Sequence, residues 1–298
     1  GSLTFTSAGL VSIAEDSTTN LAGTSTANSL VLNAGTGSIP NNTASSVTVT
    51  NNANLTAAGI LLGSAGGDTV NFGSLTFTTT VGGIDLTEDS AIDLLGVNLA
   101  AGPVILASPD LAAAGQNITL PLGSSVTSTL SSIMLTAGDN VTLAGNVSAA
   151  TTLNVNVDNS AADVGVGGNV TVTGTVTAGG GAFFTGNADN DTFTLTPQAT
   201  AAFTVNGNAP NAFPGDVLNL DLSATVNPVL TLGGLGSGTW TFNPPLLPVA
   251  YVSIEQVNST GANYNLILDA NTGGFGNTGV DDEILLRRNG ADFIVERT

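Results

Sequence analysis

The pentapeptide Gly1-Ser2-Leu3-Thr4-Phe5 recurs as Gly73-Ser74-Leu75-Thr76-Phe77, 72 positions further on. Glu15-Asp16-Ser17 recurs as Glu88-Asp89-Ser90, and Leu21-x-Gly23 as Leu94-x-Gly96, each 73 positions on. Between the copies the chain is punctuated by short alternating runs. Examples are Ser29-Leu30-Val31-Leu32, Ser46-Val47-Thr48-Val49-Thr50 and Asn140-Val141-Thr142-Leu143. Each has the period of two that half-buried strands show, and each is bounded by Gly, Asn, Asp or Ser. Strand starts spaced by about 8–12 residues indicate an all-β protein. A repeat of 72 residues equals three coils of about 20–29 residues, which favours a β-solenoid over a sandwich or barrel. A shorter echo supports this. Asp139-Asn140-Val141-Thr142-Leu143-Ala144-Gly145 resembles Gly168-Asn169-Val170-Thr171-Val172-Thr173-Gly174, an offset of 29 that suits one coil. Small residues and Asn suit tight corners and stacked asparagine ladders.

Charge narrows the function classes. Charged residues make up 8% of the chain, against about 25% in ordinary globular domains. The chain has 22 acidic residues, 3 basic ones and a formal net charge of −19. The basic residues are Arg287, Arg288 and Arg297. Such a chain lacks the basic footprint of a nucleic-acid binder and is not drawn to anionic membranes. No apolar run approaches the roughly 20 residues of a membrane helix. With no Cys and no His, disulfides, thiolate chemistry and a Ser-His-Asp triad are excluded. Carboxylate pairs are the remaining route to acid–base catalysis, and Glu15/Asp16 and Glu88/Asp89 are the paired candidates. Because they travel with the repeat, they read as corner residues, and the chain is expected not to be an enzyme.

Composition shifts at Gly179-Gly180-Gly181, after which most prolines and aromatics fall. Residues 1–180 are expected to be solenoid repeats. Residues 181–298 are expected to form a C-terminal β module that either continues the solenoid less regularly or stands as a separate β domain. It ends in a hairpin, Glu283–Arg288 and Asp292–Glu296 around Asn289-Gly290. Solenoid ends need polar caps against strand pairing, and this charged hairpin is a candidate.

The run Glu15-Asp16-Ser17 to Leu21-Ala22-Gly23-Thr24-Ser25-Thr26-Ala27-Asn28-Ser29-Leu30, and the linking segment Asp68 to Phe77, resemble repeats of very large bacterial surface proteins. So does the stretch from Asn190 through Pro214-Gly215-Asp216 to Asn258. These repeats are similar to filamentous-haemagglutinin and autotransporter-type β-helical adhesins. The resemblance implies a right-handed parallel β-helix, export to the bacterial surface, and a structural or adhesive role as stalk or scaffold. Residues 78–140 depart from it, with Pro103, Pro109 and Pro121 intruding. Two other expectations stand beside it. One is a self-assembling extracellular fibre or sheath subunit, associating through solenoid ends or sides. The other is a module that binds calcium, a surface glycan or a protein.

The calcium reading rests on Asp/Asn/Gly clusters ahead of strands: Gly66-Gly67-Asp68, Gly138-Asp139-Asn140, Gly186 to Asp191, Gly215-Asp216 and Asp281-Asp282-Glu283. Carboxylates and carbonyls in tight turns are good ligands for a hard cation. Asn187, Asp189 and Asp191 are the candidate ligands. The competing reading is turn chemistry, in which Asp and Asn bond their own backbone. Thr-x-Thr pairs such as Thr48-x-Thr50 and Thr175-x-Thr177 recur irregularly, as solvated strand faces do and flat ice-binding faces do not. Trp240, between Thr239 and Thr241, is expected to be buried rather than a sugar platform.

Overall fold

Alternation decides which side chains face inward. In the strand Ser29–Asn33, Leu30 and Leu32 are fully buried while Val31 points to solvent. In Ser46–Ala57, Val47 and Val49 are buried and Thr48 and Thr50 exposed. The structure, a computed structural model, describes residues 1–111, 114–160, 162–211, 213–268, 284–289 and 292–297, with side chains through residue 266. It is all-β, and among the described residues no helix is long and apolar enough to cross a membrane.

Three long sheets of 12, 9 and 7 strands carry the fold. The chain visits them in rotation. Ser125–Ser128 lies in the nine-stranded sheet, Ile133–Ala137 in the twelve-stranded one and Val141–Leu143 in the seven-stranded one. Asn146–Ala149, Leu153–Asn156 and Asn169–Val172 then repeat the circuit. Each strand pairs in parallel with its counterpart one circuit on: Val126 with Val147, Ile133 with Leu153, Val141 with Val170. Parallel neighbours joined through two other strands give a solenoid-like stack, in which apolar residues lie over like residues. One column of the twelve-stranded sheet runs Leu106, Leu135, Val155, Phe184, Val205, Tyr251. All six are buried, and each contributes about 1.5–3 kcal/mol by leaving water. The 29-residue echo is one circuit, since Val141 pairs with Val170 and Val147 with Val176.

The asparagine ladder also forms. The Asn140 side-chain N–H donates to Asn117 Oδ1 at 2.7 Å, and that of Asn169 to Asn140 Oδ1 at 2.8 Å. The 72-residue match does not mark equivalent positions. Leu75 stacks through Ala53 and Leu30 on Val11, whereas Leu3 pairs with Leu21. Circuits vary in length, and corner loops absorb the difference.

The composition shift falls where the nine-stranded sheet has its last strand, Val176–Ala178. The other two sheets continue through Ala182–Thr185, Phe203–Asn206 and Val249–Val252, and through Thr192–Leu195, Val217–Asp221 and Gln256–Thr260. An antiparallel hairpin, Val229–Gly234 with Ser237–Thr241, then covers the edge of Val249–Val252. It buries Trp240, whose ring meets Tyr264 edge-on at 4.8 Å. A second antiparallel pair, Ile284–Asn289 with Asp292–Arg297, places Asn289 opposite Asp292. Its turn residues, and Asp281-Asp282-Glu283, lie outside the described residues.

Candidate functional site

Many of the acidic side chains gather at one edge, where the chain leaves the twelve-stranded sheet for the seven-stranded one. A corner exposes backbone N–H groups that no strand pairs, and a carboxylate one circuit away can accept them. Glu88 Oε2 accepts the Phe72 N–H at 3.1 Å and Asp89 Oδ2 the Val70 N–H at 2.9 Å. Asp139 Oδ2 accepts the N–H groups of Gly115 and Gln116, the latter at 2.7 Å. Further along the pattern becomes a relay. Asp191 Oδ1 takes the Gly168 N–H at 2.6 Å, Asp216 Oδ1 the Asp191 N–H at 2.7 Å, and Glu255 Oε2 the Asp216 N–H at 2.8 Å.

Burial shifts these acids. Asp191 and Asp216 are fully buried. Loss of water, against the pull of the bound N–H groups, pushes Asp191 up to about 7 and Asp216 up to about 6. Each is also raised by a neighbouring carboxylate: Asp216 acts on Asp191 and Glu255 on Asp216. Glu88, 1% exposed, is pushed up to about 8, first by burial and then by the charges of Asp93 and Asp89; the Phe72 N–H and Ser90 hydroxyl oppose the shift.

The two paired carboxylates of the repeat occupy different surroundings. Glu15 and Asp16 are exposed after a strand of the nine-stranded sheet, Leu10–Ala14. Glu88 and Asp89 follow Ile84–Thr87 of the twelve-stranded sheet, and both cap backbone N–H groups.

The residues predicted as calcium ligands share one turn. Asp191 Oδ2 accepts the Asn187 N–H at 2.9 Å, so both its oxygens serve the backbone. Asp189 is half-buried; its Oδ2 accepts the Gly165 N–H and its own N–H donates to Asp158 Oδ2. Of these bonds only the one from Asn187 closes a local turn; those from Gly168 and Gly165 reach a neighbouring circuit. The sequence clusters did not single out Asp110, Asp158 or Asp163. One oxygen from each lies within 4.8 Å of the others. A run of Asp158-Asn159-Ser160 with Asp163 close behind was the available signal, but Asp110 comes from another corner and only folding brings it near.

Compared with known proteins, the chain matches no protein-family model, no curated protein and no solved structure.

Proposed function

We propose that this chain is a rigid structural segment, a stalk or scaffold, of an exported bacterial surface protein, and that its solenoid is a right-handed parallel β-helix similar to those of filamentous-haemagglutinin and autotransporter-type adhesins. The observation that carries the reading is the use of the acidic corner. The acids best placed for chemistry at the corner, Glu88, Asp191 and Asp216, are buried and bonded to backbone N–H groups of a neighbouring circuit. Side chains spent on holding circuits together suit a load-bearing rod. Handedness follows from the rule that returns between parallel strands of one sheet are right-handed in about 98% of cases. The acidic exterior then supplies solubility and contact surface, with no catalytic step.

Nine strands of the twelve-stranded sheet, from Ile39–Pro40 to Val249–Val252, stack in parallel. At about 4.8 Å per strand they span roughly 40 Å. Light scattering coupled to gel filtration, with small-angle X-ray scattering, tests the reading. A concentration-independent monomer with an elongated profile of at least that length supports a stalk segment; a compact sphere overturns it.

A self-assembling fibre is the second reading, favoured by the strand Leu10–Ala14. It ends the nine-stranded sheet and leaves Leu10 62% exposed. An unpaired strand edge of this kind templates pairing with another copy. Mass that grows with concentration, and is reduced by Val11→Pro, selects that reading over the monomeric stalk.

A further inference from the structure

The corner between Leu153–Asn156 and Asn169–Val172 is long, and it folds back across its neighbour. The intervening corner is short, Gly138-Asp139-Asn140. Past it, Ser160 Oγ donates to Asp110 Oδ2 at 2.7 Å, and the Ala162 N–H donates to the same oxygen at 2.9 Å. Gly138 leaves the room, because a Cβ there would lie 2.5 Å from Asp110 Cα. Three carboxylates from two separate corners therefore meet: Asp110, Asp158 and Asp163.

Asp158 is 0% and Asp110 9% exposed. Among the described residues, each of the three keeps one buried oxygen that accepts no hydrogen bond: Oδ1 of Asp110, Oδ1 of Asp158 and Oδ2 of Asp163. Orphaned buried acceptors destabilise a fold, the more so when charged. Like charges at this range repel as well, and Asp158 and Asp163 are both held above the usual carboxylate range, first by burial and also by Asp110. With 3 basic residues against 22 acidic ones, the chain has few cations of its own to offset such clusters.

We propose that Asp110, Asp158 and Asp163 form a calcium site that ties the chain at Asp158 and Asp163 to the corner at Asp110, two circuits away. The donor set is all carboxylate oxygen, and with no His or Cys in the chain it suits a hard cation rather than zinc or copper. Calcium–oxygen distances of about 2.3–2.6 Å allow two ligands of one ion to lie up to roughly 5 Å apart, whereas magnesium at about 2.1 Å needs a tighter shell. Oxygens within 4.8 Å of one another can share one such ion, and an all-protein carboxylate cage suits calcium better than magnesium, which keeps most of its water. Backbone carbonyls and water complete the 6–8 ligands that calcium takes. The site differs from the Asn187–Asp191 turn, which it adjoins through the Asp189 N–H on Asp158 Oδ2. It goes beyond the structural role and holds whether the rod is a stalk or a fibre, since it concerns only how circuits of one chain are tied.

The test is calorimetric titration of the chelator-treated 298-residue chain with calcium alone, beside Asp163→Asn, Asp158→Asn and, as a control, exposed Asp16→Asn. One saturable event is expected, with Kd between about 10⁻⁶ and 10⁻³ M, and magnesium at least about tenfold weaker. Asp158→Asn should abolish the event, Asp163→Asn should weaken it about tenfold or more, and Asp16→Asn should leave it unchanged. Asp158→Asn also disturbs the bonds from Ala188 and Asp189. If it unfolds, Asp163→Asn decides, because Asp163 Oδ2 has no hydrogen-bond partner among the described residues. Calcium should raise the melting temperature of the unsubstituted chain more than that of Asp163→Asn. Absence of saturable binding up to about 10 mM calcium, equal affinity for magnesium, or full affinity in folded Asp163→Asn overturns the proposal.

Discussion

Glu88 is buried with one oxygen on the Phe72 N–H and the other without a partner among the described residues, and burial lifts it to about 8. In the unfolded chain the same group titrates near 4.5. Between those values the unfolded state releases a proton that the folded state keeps. Glu88 therefore removes stability progressively as pH rises from about 4.5 to about 8, by several kcal/mol in total. Glu88→Gln cannot titrate, so its stability relative to the parent should grow across that window and level off above it. Denaturant melts at pH 5, 6.5 and 8 check this; a pH-independent difference refutes it. Space is as decisive as charge. A Cβ on Gly174 would sit 1.9 Å from the Gly145 carbonyl oxygen of the neighbouring circuit, and backbone cannot swing aside. Gly174→Ala should cost about 3 kcal/mol or more. Gly66→Ala, with nothing within 4 Å, should change stability by under about 0.5 kcal/mol. Neither difference is readable from the two glycines in the sequence, because the neighbour that forbids a side chain is supplied by another circuit.

At the scale of elements, the asparagine ladder and the alternating strands were legible for local reasons. Period two forces Leu30 and Leu32 to one side whatever the register, and Trp240 follows the same rule into the core. The ladder was legible because Asn140 and Asn169 hold the second position in the two copies of the 29-residue echo, and one circuit separates them. Asn140 is its middle rung, accepting from both the Asn169 side chain and the Asn169 N–H while donating to Asn117. Asn140→Ala should cost about 1–3 kcal/mol, since it strands partners on both sides; a chemical-denaturation midpoint unchanged from the parent would refute the ladder's role. The acidic corner was legible only in outline. Asp and Gly ahead of strands announce turns, and the turns formed. Which backbone N–H each carboxylate caps depends on the height of the next circuit, as with Asp216 reaching the Asp191 N–H.

For the whole molecule, stacking predicts how damage spreads. Leu135 lies directly over Val155 in register, while Leu32 belongs to a distant circuit. Leu135→Ala and Leu32→Ala should each cost about 2–5 kcal/mol and add within about 0.5 kcal/mol when combined. Leu135→Ala with Val155→Ala should depart from additivity, because the two cavities merge; urea unfolding of the single and double variants measures both. The sequence by itself determined an all-β chain, alternating faces, an acidic character without basic or thiol chemistry, and the length of one circuit near 29 residues. These are local or compositional properties, fixed by backbone pleat and side-chain type. The tertiary structure alone decided which stretches are equivalent. Every circuit presents the same alternating apolar pattern inward, so a five-residue match such as Gly1–Phe5 with Gly73–Phe77 fits several positions, and variable corners shift the register. It also decided that Asp110 meets Asp158 and Asp163 across about 50 residues of chain. That meeting depends on a loop crossing a short corner at Gly138, a relation between circuits that no single stretch of sequence contains.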